Sequence, residues 1–120
     1  MYDHIGLKVR NLDASVRFYQ GALAAVGHAL ASRDENGAGF GNSGASTLWL
    51  YLDGKSNGSA VHVAFRARKR ADVDAFHREG LKAGGRDNGG PGLRTDYSPT
   101  YYAAFLLDPD GNNVEVVCTQ

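Results

Sequence analysis

Apolar and polar residues alternate at the start of the chain, in YDHIGLKV at residues 2–9. Ile5, Leu7 and Val9 fall on one face of this segment, and His4 falls on the other. A period of two residues is typical of a half-buried β-strand. We therefore predict a first strand whose aliphatic face packs on a core and whose other face carries His4.

The next segment, NLDASVRFYQGALAAVG, has apolar residues at helical spacing. Asn11 or Asp13 can cap the start of this helix, and Gly27 can end it. Three strand-like segments follow, which are HALASRD, a short piece around Phe40, and STLWLYLDG. The first half of the chain therefore predicts the order β-α-β-β-β.

The second half of the chain shows a similar order. A strand is predicted in AVHVAFRA at 60–67, a helix in RADVDAFHREGLKAGG, and a weak strand near 85–87. A glycine-rich loop then runs to about Pro99. The chain closes with strand-like segments TYYAAFLL and NNVEVVCT, joined by the turn-forming sequence DPDG.

The two halves can be aligned with each other at an offset of 58 residues, which places 4–19 over 62–77. Internal repeats of this kind set the architecture of a chain. We predict one α+β domain made of two βαβββ modules, 1–57 and 58–120, with helices on the outer face of a cupped mixed sheet. The identical pairs in the alignment are His4 with His62, Arg10 with Arg68, and Phe18 with Phe76.

Composition argues against several classes of partner. The chain has 13 Lys and Arg and 13 Asp and Glu, without the basic excess of a nucleic-acid-binding protein. Its single cysteine, Cys118, cannot form an internal disulfide and fits a reducing compartment. No apolar run approaches the ~20 residues of a membrane span. These features predict a cytoplasmic protein with no nucleic-acid or membrane partner.

Three polar residues share one description, because His4, His62 and Glu115 each fall in a predicted strand on the face opposite the aliphatic residues. Two imidazoles and one carboxylate can bind a divalent metal ion such as Fe, Mn, Ni, Co or Zn. Each residue also has an ordinary interpretation. A strand histidine is usually part-exposed or hydrogen-bonded, and a glutamate on an edge strand often faces solvent.

Three segments of the chain, DHIGLKVRNLDASVRFY, AVHVAF and FLLDPDGNNVEVV, resemble the vicinal oxygen chelate superfamily. This group includes glyoxalase I, the bleomycin-resistance proteins and the extradiol dioxygenases. The resemblance implies a cupped eight-stranded sheet with a metal ion at its centre, bound by His4, His62 and Glu115. It also implies a homodimer, in which the cup forms within one chain or between two chains.

The resemblance implies a metal-dependent lyase or isomerase of glyoxalase type, which chelates a small substrate through neighbouring oxygens and uses Glu115 in catalysis. Glyoxalase I has a fourth ligand, a carboxylate, on the strand that here reads TLWLYL and offers Trp49 and Tyr51 instead. Two alternatives stay open. One is a non-catalytic drug- or metabolite-binding protein of bleomycin-resistance type. The other is a thiol transferase like the fosfomycin-resistance enzymes, although no Arg or Lys follows Glu115.

Aromatic and basic residues are candidates for contacts with the small-molecule substrate. Trp49 and Tyr51 share the predicted cup face and can stack on a flat or apolar group. Arg94, in the glycine-rich loop, can bind a carboxylate or a phosphate. Tyr101 and Tyr102 have opposite parity, so only one of them can face the cup, and our candidate is Tyr102.

Overall fold

A computed structural model describes the whole chain, residues 1–120. Every predicted helix and strand is present, and one further strand, β7, lies in the glycine-rich loop. The glycine-rich segment around β7 shows no apolar alternation from which this strand could be predicted. The elements are β1 (Ile5–Val9), α1 (Leu12–Leu23), β2 (Ala29–Arg33), β3 (Gly37–Gly41), β4 (Leu48–Leu52), β5 (His62–Arg66), α2 (Arg70–Lys82), β6 (Arg86–Asp87), β7 (Gly92–Leu93), β8 (Tyr102–Leu107) and β9 (Asn113–Cys118).

The strands form two mixed sheets. The first sheet has the order β1-β4-β3-β2, and the second has the order β5-β9-β8-β6, with β7 paired to β8. In each sheet the first strand in the chain runs parallel to the last, β1 with β4 and β5 with β9. The structure is therefore of the predicted α+β class, and its strands lie in two sheets instead of one continuous eight-stranded sheet.

Local sequence signals set the ends of the first helix. The side chain of Asn11 accepts a hydrogen bond of 3.1 Å from the Ala14 N–H, which satisfies one of the free donors of the first turn. A short 3-10 turn, Ala24–Val26, extends α1, and Gly27 ends it with a φ of 79°. Glycine adopts this left-handed conformation without the steric cost that a Cβ brings. Neither α-helix is long and apolar enough to cross a membrane.

One hydrophobic core lies between the helices and the sheets. Phe18 in α1 and Phe76 in α2, which are equivalent in the repeat, are both fully buried. Val114 and Val116 of β9 join the same core, so alternate residues of this strand face the helices. The faces turned away from the helices carry Trp49, Tyr51, His62 and Glu115. We call them the open face of the first sheet (Gly6, Gly39, Trp49, Tyr51) and the open face of the second sheet (His62, Tyr101, Phe105, Glu115).

The DPDG turn between β8 and β9 is bonded to the first half of the chain. Asp108 is 1% exposed and accepts hydrogen bonds from the Tyr19 hydroxyl at 2.6 Å and from the Asn112 N–H at 2.8 Å. The carboxylate of Asp110 accepts a bond of 3.1 Å from the Arg10 N–H. These contacts set the position at which β9 starts, relative to α1.

Candidate functional site

Glu115 lies in the middle of β9, and its side chain is only 3% exposed. Since its neighbours Val114 and Val116 face the helices, the alternation of the strand turns Glu115 to the open face of the second sheet. Both carboxylate oxygens have partners. Oε1 accepts a hydrogen bond from the Tyr101 hydroxyl, and Oε2 lies 3.0 Å from Nε2 of His62. The hydrogen bond from Tyr101 offsets part of the cost of burying this carboxylate, and the His62 contact adds to it only when Nε2 carries a proton.

His62 is the first residue of β5, and its side chain is half exposed. The parallel pairing of β5 with β9 places it opposite Asn113. Its Nδ1 lies 3.0 Å from the Asn113 carbonyl oxygen, which can only accept. We therefore assign a proton to Nδ1, and Nε2 is the nitrogen that faces Glu115. Metal-binding histidines are commonly oriented by such a bond from their second nitrogen.

His4 lies immediately before β1 and apart from this pair. Its Nδ1 contacts Oδ1 of Asp3 at 2.6 Å, and its ring lines a cavity of about 190 Å³ together with Val63 and Phe65. The structure thus brings together two of the three predicted ligands and leaves His4 elsewhere. Nowhere in the chain do three or more His, Cys, Asp or Glu residues form a group that can hold a metal ion.

The different surroundings of the two repeat-equivalent histidines follow from strand pairing. Ala64, two residues after His62, is opposite Glu115, whereas Gly6, two residues after His4, is opposite Trp49. Trp49 therefore occupies in the first sheet the place that Glu115 occupies in the second. His4 has no carboxylate on the adjoining strand to pair with.

Tyr101 and Phe105 are site residues that the sequence interpretation did not select. Because β8 and β9 pair in antiparallel register, Phe105 lies opposite Glu115, and residues at even spacing from Phe105 share its face. Burial, reinforced by the hydrogen bond to Glu115, raises the pKa of Tyr101 to about 12, so its phenol is protonated at neutral pH. Counting register back from the DPDG turn was the signal that could have identified it.

Tyr102 is one of the predicted substrate contacts, and the structure places it on the face opposite Tyr101 and Glu115. Its hydroxyl donates a hydrogen bond of 2.6 Å to Oδ1 of Asp74 in α2. The guanidinium carbon of Arg70 lies 5.1 Å from the centre of its ring. Tyr102 thus joins β8 to α2, because strand alternation turns the two adjacent tyrosines in opposite directions.

Phe105 and Arg94 extend the site from His62. The rings of Phe105 and His62 are stacked, with centroids 6.3 Å apart, and the guanidinium carbon of Arg94 lies 5.3 Å from the Phe105 centroid. Arg94 donates hydrogen bonds to the carbonyl oxygens of Gly90 at 2.7 Å and Gly92 at 2.9 Å. Arg94 belongs to none of the chain's ion pairs. It is a pre-oriented cation with donors free for an anion.

Trp49 and Tyr51 lie together on the open face of the first sheet, away from the His62–Glu115 pair. Their rings cover glycine backbone, because a Cβ on Gly39 would lie 2.8 Å from Cζ3 of Trp49, and one on Gly6 would lie 2.6 Å from Cε2 of Tyr51. The two aromatic rings and Arg33 help to line a cavity of about 240 Å³. Glycine at these positions makes room for the rings.

The chain matches a family model over residues 2–116, and that family is the Glyoxalase/Bleomycin resistance protein/Dioxygenase superfamily. The chain belongs to this superfamily. The resemblance noted in the sequence is therefore confirmed over almost the whole length of the protein. No curated protein matches the chain.

Solved structures of superfamily proteins share the fold. The chain is similar to a glyoxalase/bleomycin resistance protein from Albidiferax ferrireducens T118, with 26% identity and a TM-score of 0.84 over 100% of this chain and 99% of that one. A glyoxalase/bleomycin resistance protein/dioxygenase family enzyme from Burkholderia phytofirmans PsJN has 18% identity and a TM-score of 0.76 over 98% of both chains. A glyoxalase-related enzyme from Fulvimarina pelagi has 20% identity and a TM-score of 0.72, over 95% of this chain and 84% of that one.

The superfamily often binds a divalent metal ion, and one chain supplies two adjacent candidate ligands for such an ion. His62 Nε2 and Glu115 Oε2 are a nitrogen and an oxygen donor of the kinds such ions accept, and they lie side by side at 3.0 Å. Catalytic zinc sites commonly have three protein ligands. A comparable site on this chain would need a third donor from outside the pair.

Proposed function

We propose that this protein is a subunit of a small metal-dependent enzyme of glyoxalase-like lyase or isomerase type. The His62–Glu115 pair is the observation that carries the proposal. A buried carboxylate and an imidazole oriented by the Asn113 carbonyl present Oε2 and Nε2 3.0 Å apart. Ligands that are held in this way by surrounding hydrogen bonds are typical of metal sites.

The proposed site is shared between two copies of the chain in a homodimer. His62 and Glu115 would come from the module 58–120 of one copy, and His4 of the partner subunit would be the third ligand. Two features support this arrangement. In one chain His4 is half exposed and bonded only to Asp3, which is itself exposed. The helices α1 and α2 pack against each other on the core side of the sheets. No helix therefore covers the open faces, which are available to a partner.

A divalent ion bound there would supply Lewis acidity toward neighbouring oxygens of a small substrate. The chain's own residues would bind and orient that substrate. Arg94, fixed by two carbonyl oxygens beside Phe105, would hold an anionic group by charge-assisted hydrogen bonds. Glu115 is the candidate for proton transfer. Its Oε1 is bonded to the Tyr101 hydroxyl, so a proton reaching Oε1 would have to displace that bond.

Metal binding tests this proposal. Protein stripped with EDTA is titrated calorimetrically with Mn²⁺ or Ni²⁺, and we expect one ion per chain. His4→Ala, His62→Ala and Glu115→Ala should each weaken binding, whereas His77→Ala, a matched change on α2, should not. If the three variants bind metal as the wild type does, or if the wild type binds none, the proposal fails.

Subunit mixing tests whether the site is shared. His4→Ala and Glu115→Ala chains are mixed, unfolded and refolded together. Metal binding by the mixture is then measured. If His4 acts on the partner's pair, each mixed dimer contains one complete site, which binds metal, and one site that lacks two ligands. If all ligands come from one chain, no complete site forms and mixing does not restore metal binding.

A binding protein of bleomycin-resistance type is the second candidate, favoured by the aromatic cavity that Trp49 and Tyr51 line apart from the His62–Glu115 pair. In that case ligand binding is independent of metal. Trp49 is the only tryptophan of the chain, so its fluorescence reports this cavity alone. Quenching by an aromatic ligand that is unchanged by EDTA, and lost in Tyr51→Ala, would favour this function.

A further inference from the structure

We propose that Tyr101 is a positioning residue that fixes the rotation of the Glu115 carboxylate, so that one oxygen is bonded to the phenol and the other faces His62. The part of this inference that concerns metal affinity rests on the function proposed above. The part that concerns the orientation of Glu115 does not, because the contacts involved are made within the chain without a metal ion.

The Tyr101 side chain is held in place from several directions. Its backbone N–H donates to the Ser98 carbonyl at 3.3 Å, and its carbonyl accepts from the Arg94 N–H at 2.7 Å. Its ring packs edge-on against Tyr97, with centroids 5.0 Å apart. The hydroxyl therefore meets the carboxylate of Glu115 from a fixed direction.

The carboxylate of Glu115 has two oxygens that would otherwise be equivalent. The terminal torsion of a glutamate is broad, so it does not by itself fix the direction in which the plane of the carboxylate is turned. Tyr101 binds Oε1 and His62 contacts Oε2, and the burial of Glu115 leaves almost no access for water to replace either partner. Tyr101 thus holds one oxygen by a hydrogen bond. The other oxygen is left beside Nε2, where it can bind a metal ion.

The same contacts join the site to the glycine-rich loop. The Arg94 N–H bonds to the carbonyl of Tyr101, and the Arg94 side chain lies over Phe105. An anion that moved Arg94 would therefore act on the residue that orients Glu115. Tyr101 therefore connects Arg94, the proposed substrate contact, to Glu115, the proposed metal ligand.

The experiment compares Tyr101→Phe with Tyr102→Phe. The two changes are chemically identical and adjacent, and each removes a phenol that bonds a carboxylate, Glu115 in the first case and Asp74 in the second. In metal-free protein labelled with ¹⁵N-histidine, we expect the ring-nitrogen resonances of His62 to shift in Tyr101→Phe and to stay unchanged in Tyr102→Phe. With Mn²⁺, we expect Tyr101→Phe to bind about 10- to 100-fold more weakly, the usual effect of losing a partner of a metal ligand.

Unchanged His62 resonances in metal-free Tyr101→Phe would overturn the inference. A wild type that binds no Mn²⁺ would overturn the proposed function, while the metal-free spectra would still decide the role of Tyr101. If Tyr101→Phe does not fold, the inference is tested on the wild-type protein instead. The hydrogen-bonded phenol proton of Tyr101 should give a resolved NMR resonance with cross-peaks to the Glu115 side chain, and failure to find them in spectra that resolve other protected protons would also overturn it.

Discussion

The hydroxyl of Tyr19 in α1 donates a hydrogen bond of 2.6 Å to Oδ2 of Asp108, in the turn that precedes β9. Both residues are about 1% exposed, so this polar contact lies inside the core. It joins positions 89 residues apart, one in each half of the chain. Since β9 begins a few residues after Asp108, the contact also helps to place Glu115.

Tyr19→Phe should destabilise the protein. The change leaves the ring in place and removes a buried bond to a carboxylate, so we expect the free energy of unfolding to fall by about 1–3 kcal/mol. Urea unfolding measures the change. Tyr51→Phe is the matched control, because Tyr51 is exposed and we expect its hydroxyl to contribute little. Equal stabilities of the two variants would contradict the importance of the core contact.

Stability should decrease at alkaline pH through Tyr19. Burial, together with the nearby Asp108 carboxylate, raises the pKa of Tyr19 well above its ordinary value of 10.0. In the unfolded chain Tyr19 loses its proton near that ordinary value, whereas in the folded chain it keeps the proton. Its contribution is therefore complete below about pH 10 and is lost as the pH rises toward the folded-state pKa. Unfolding free energies from pH 8 to 11 should fall less steeply for Tyr19→Phe than for the wild type.

Gly41→Ala should disrupt the turn between β3 and β4. A Cβ at Gly41 would lie 1.6 Å from the carbonyl oxygen of Ala45, and this backbone atom cannot move aside without shifting the turn. We expect a loss of about 1–3 kcal/mol or more, as for other overpacked positions. Gly54→Ala is the control, since a Cβ there meets nothing within 4 Å. Thermal unfolding of both variants checks the difference, and equal melting temperatures would contradict the close approach.

Arg94→Ala should weaken anion binding at the second sheet. Inorganic phosphate, titrated at low ionic strength, is expected to shift the NMR resonance of the Arg94 Nε–H and those of the His62 ring, because Phe105 lies against both side chains. Arg94→Ala should abolish the His62 shifts, and Arg86→Ala, a change of an exposed arginine in β6, should leave them intact. Phosphate shifts at His62 that survive in Arg94→Ala would show that the anion binds elsewhere.

Short-range patterns were sufficient for the elements and for the faces of single strands. Asn11 and Gly27 mark the ends of the first helical segment, because capping depends on the side chain and backbone freedom of one residue. Alternation in β9 separated Glu115 from Val114 and Val116, because successive side chains of a strand point to opposite faces. These relationships involve residues close in the chain and are therefore visible in the sequence.

Deciding whether Tyr101 or Tyr102 faces Glu115 required the register of β8 against β9 as well as the alternation within the strand. Parity showed that only one of them could face the cup, but the strand register showed which one. That register depends on how β8 pairs with β9 across the DPDG turn. A shift of one residue would have exchanged the two tyrosines, since it turns every side chain to the other face.

The sequence alone established the superfamily resemblance, the order of the elements and the candidacy of His4, His62 and Glu115. Tertiary structure decided which of these residues meet. His4 and His62 occupy equivalent places in the repeat, yet β5 pairs beside the strand that carries Glu115, and β1 pairs beside the strand that carries Trp49. The pairing of strands distant in the chain is set by the packing of the whole core, and no local pattern around either histidine contains it.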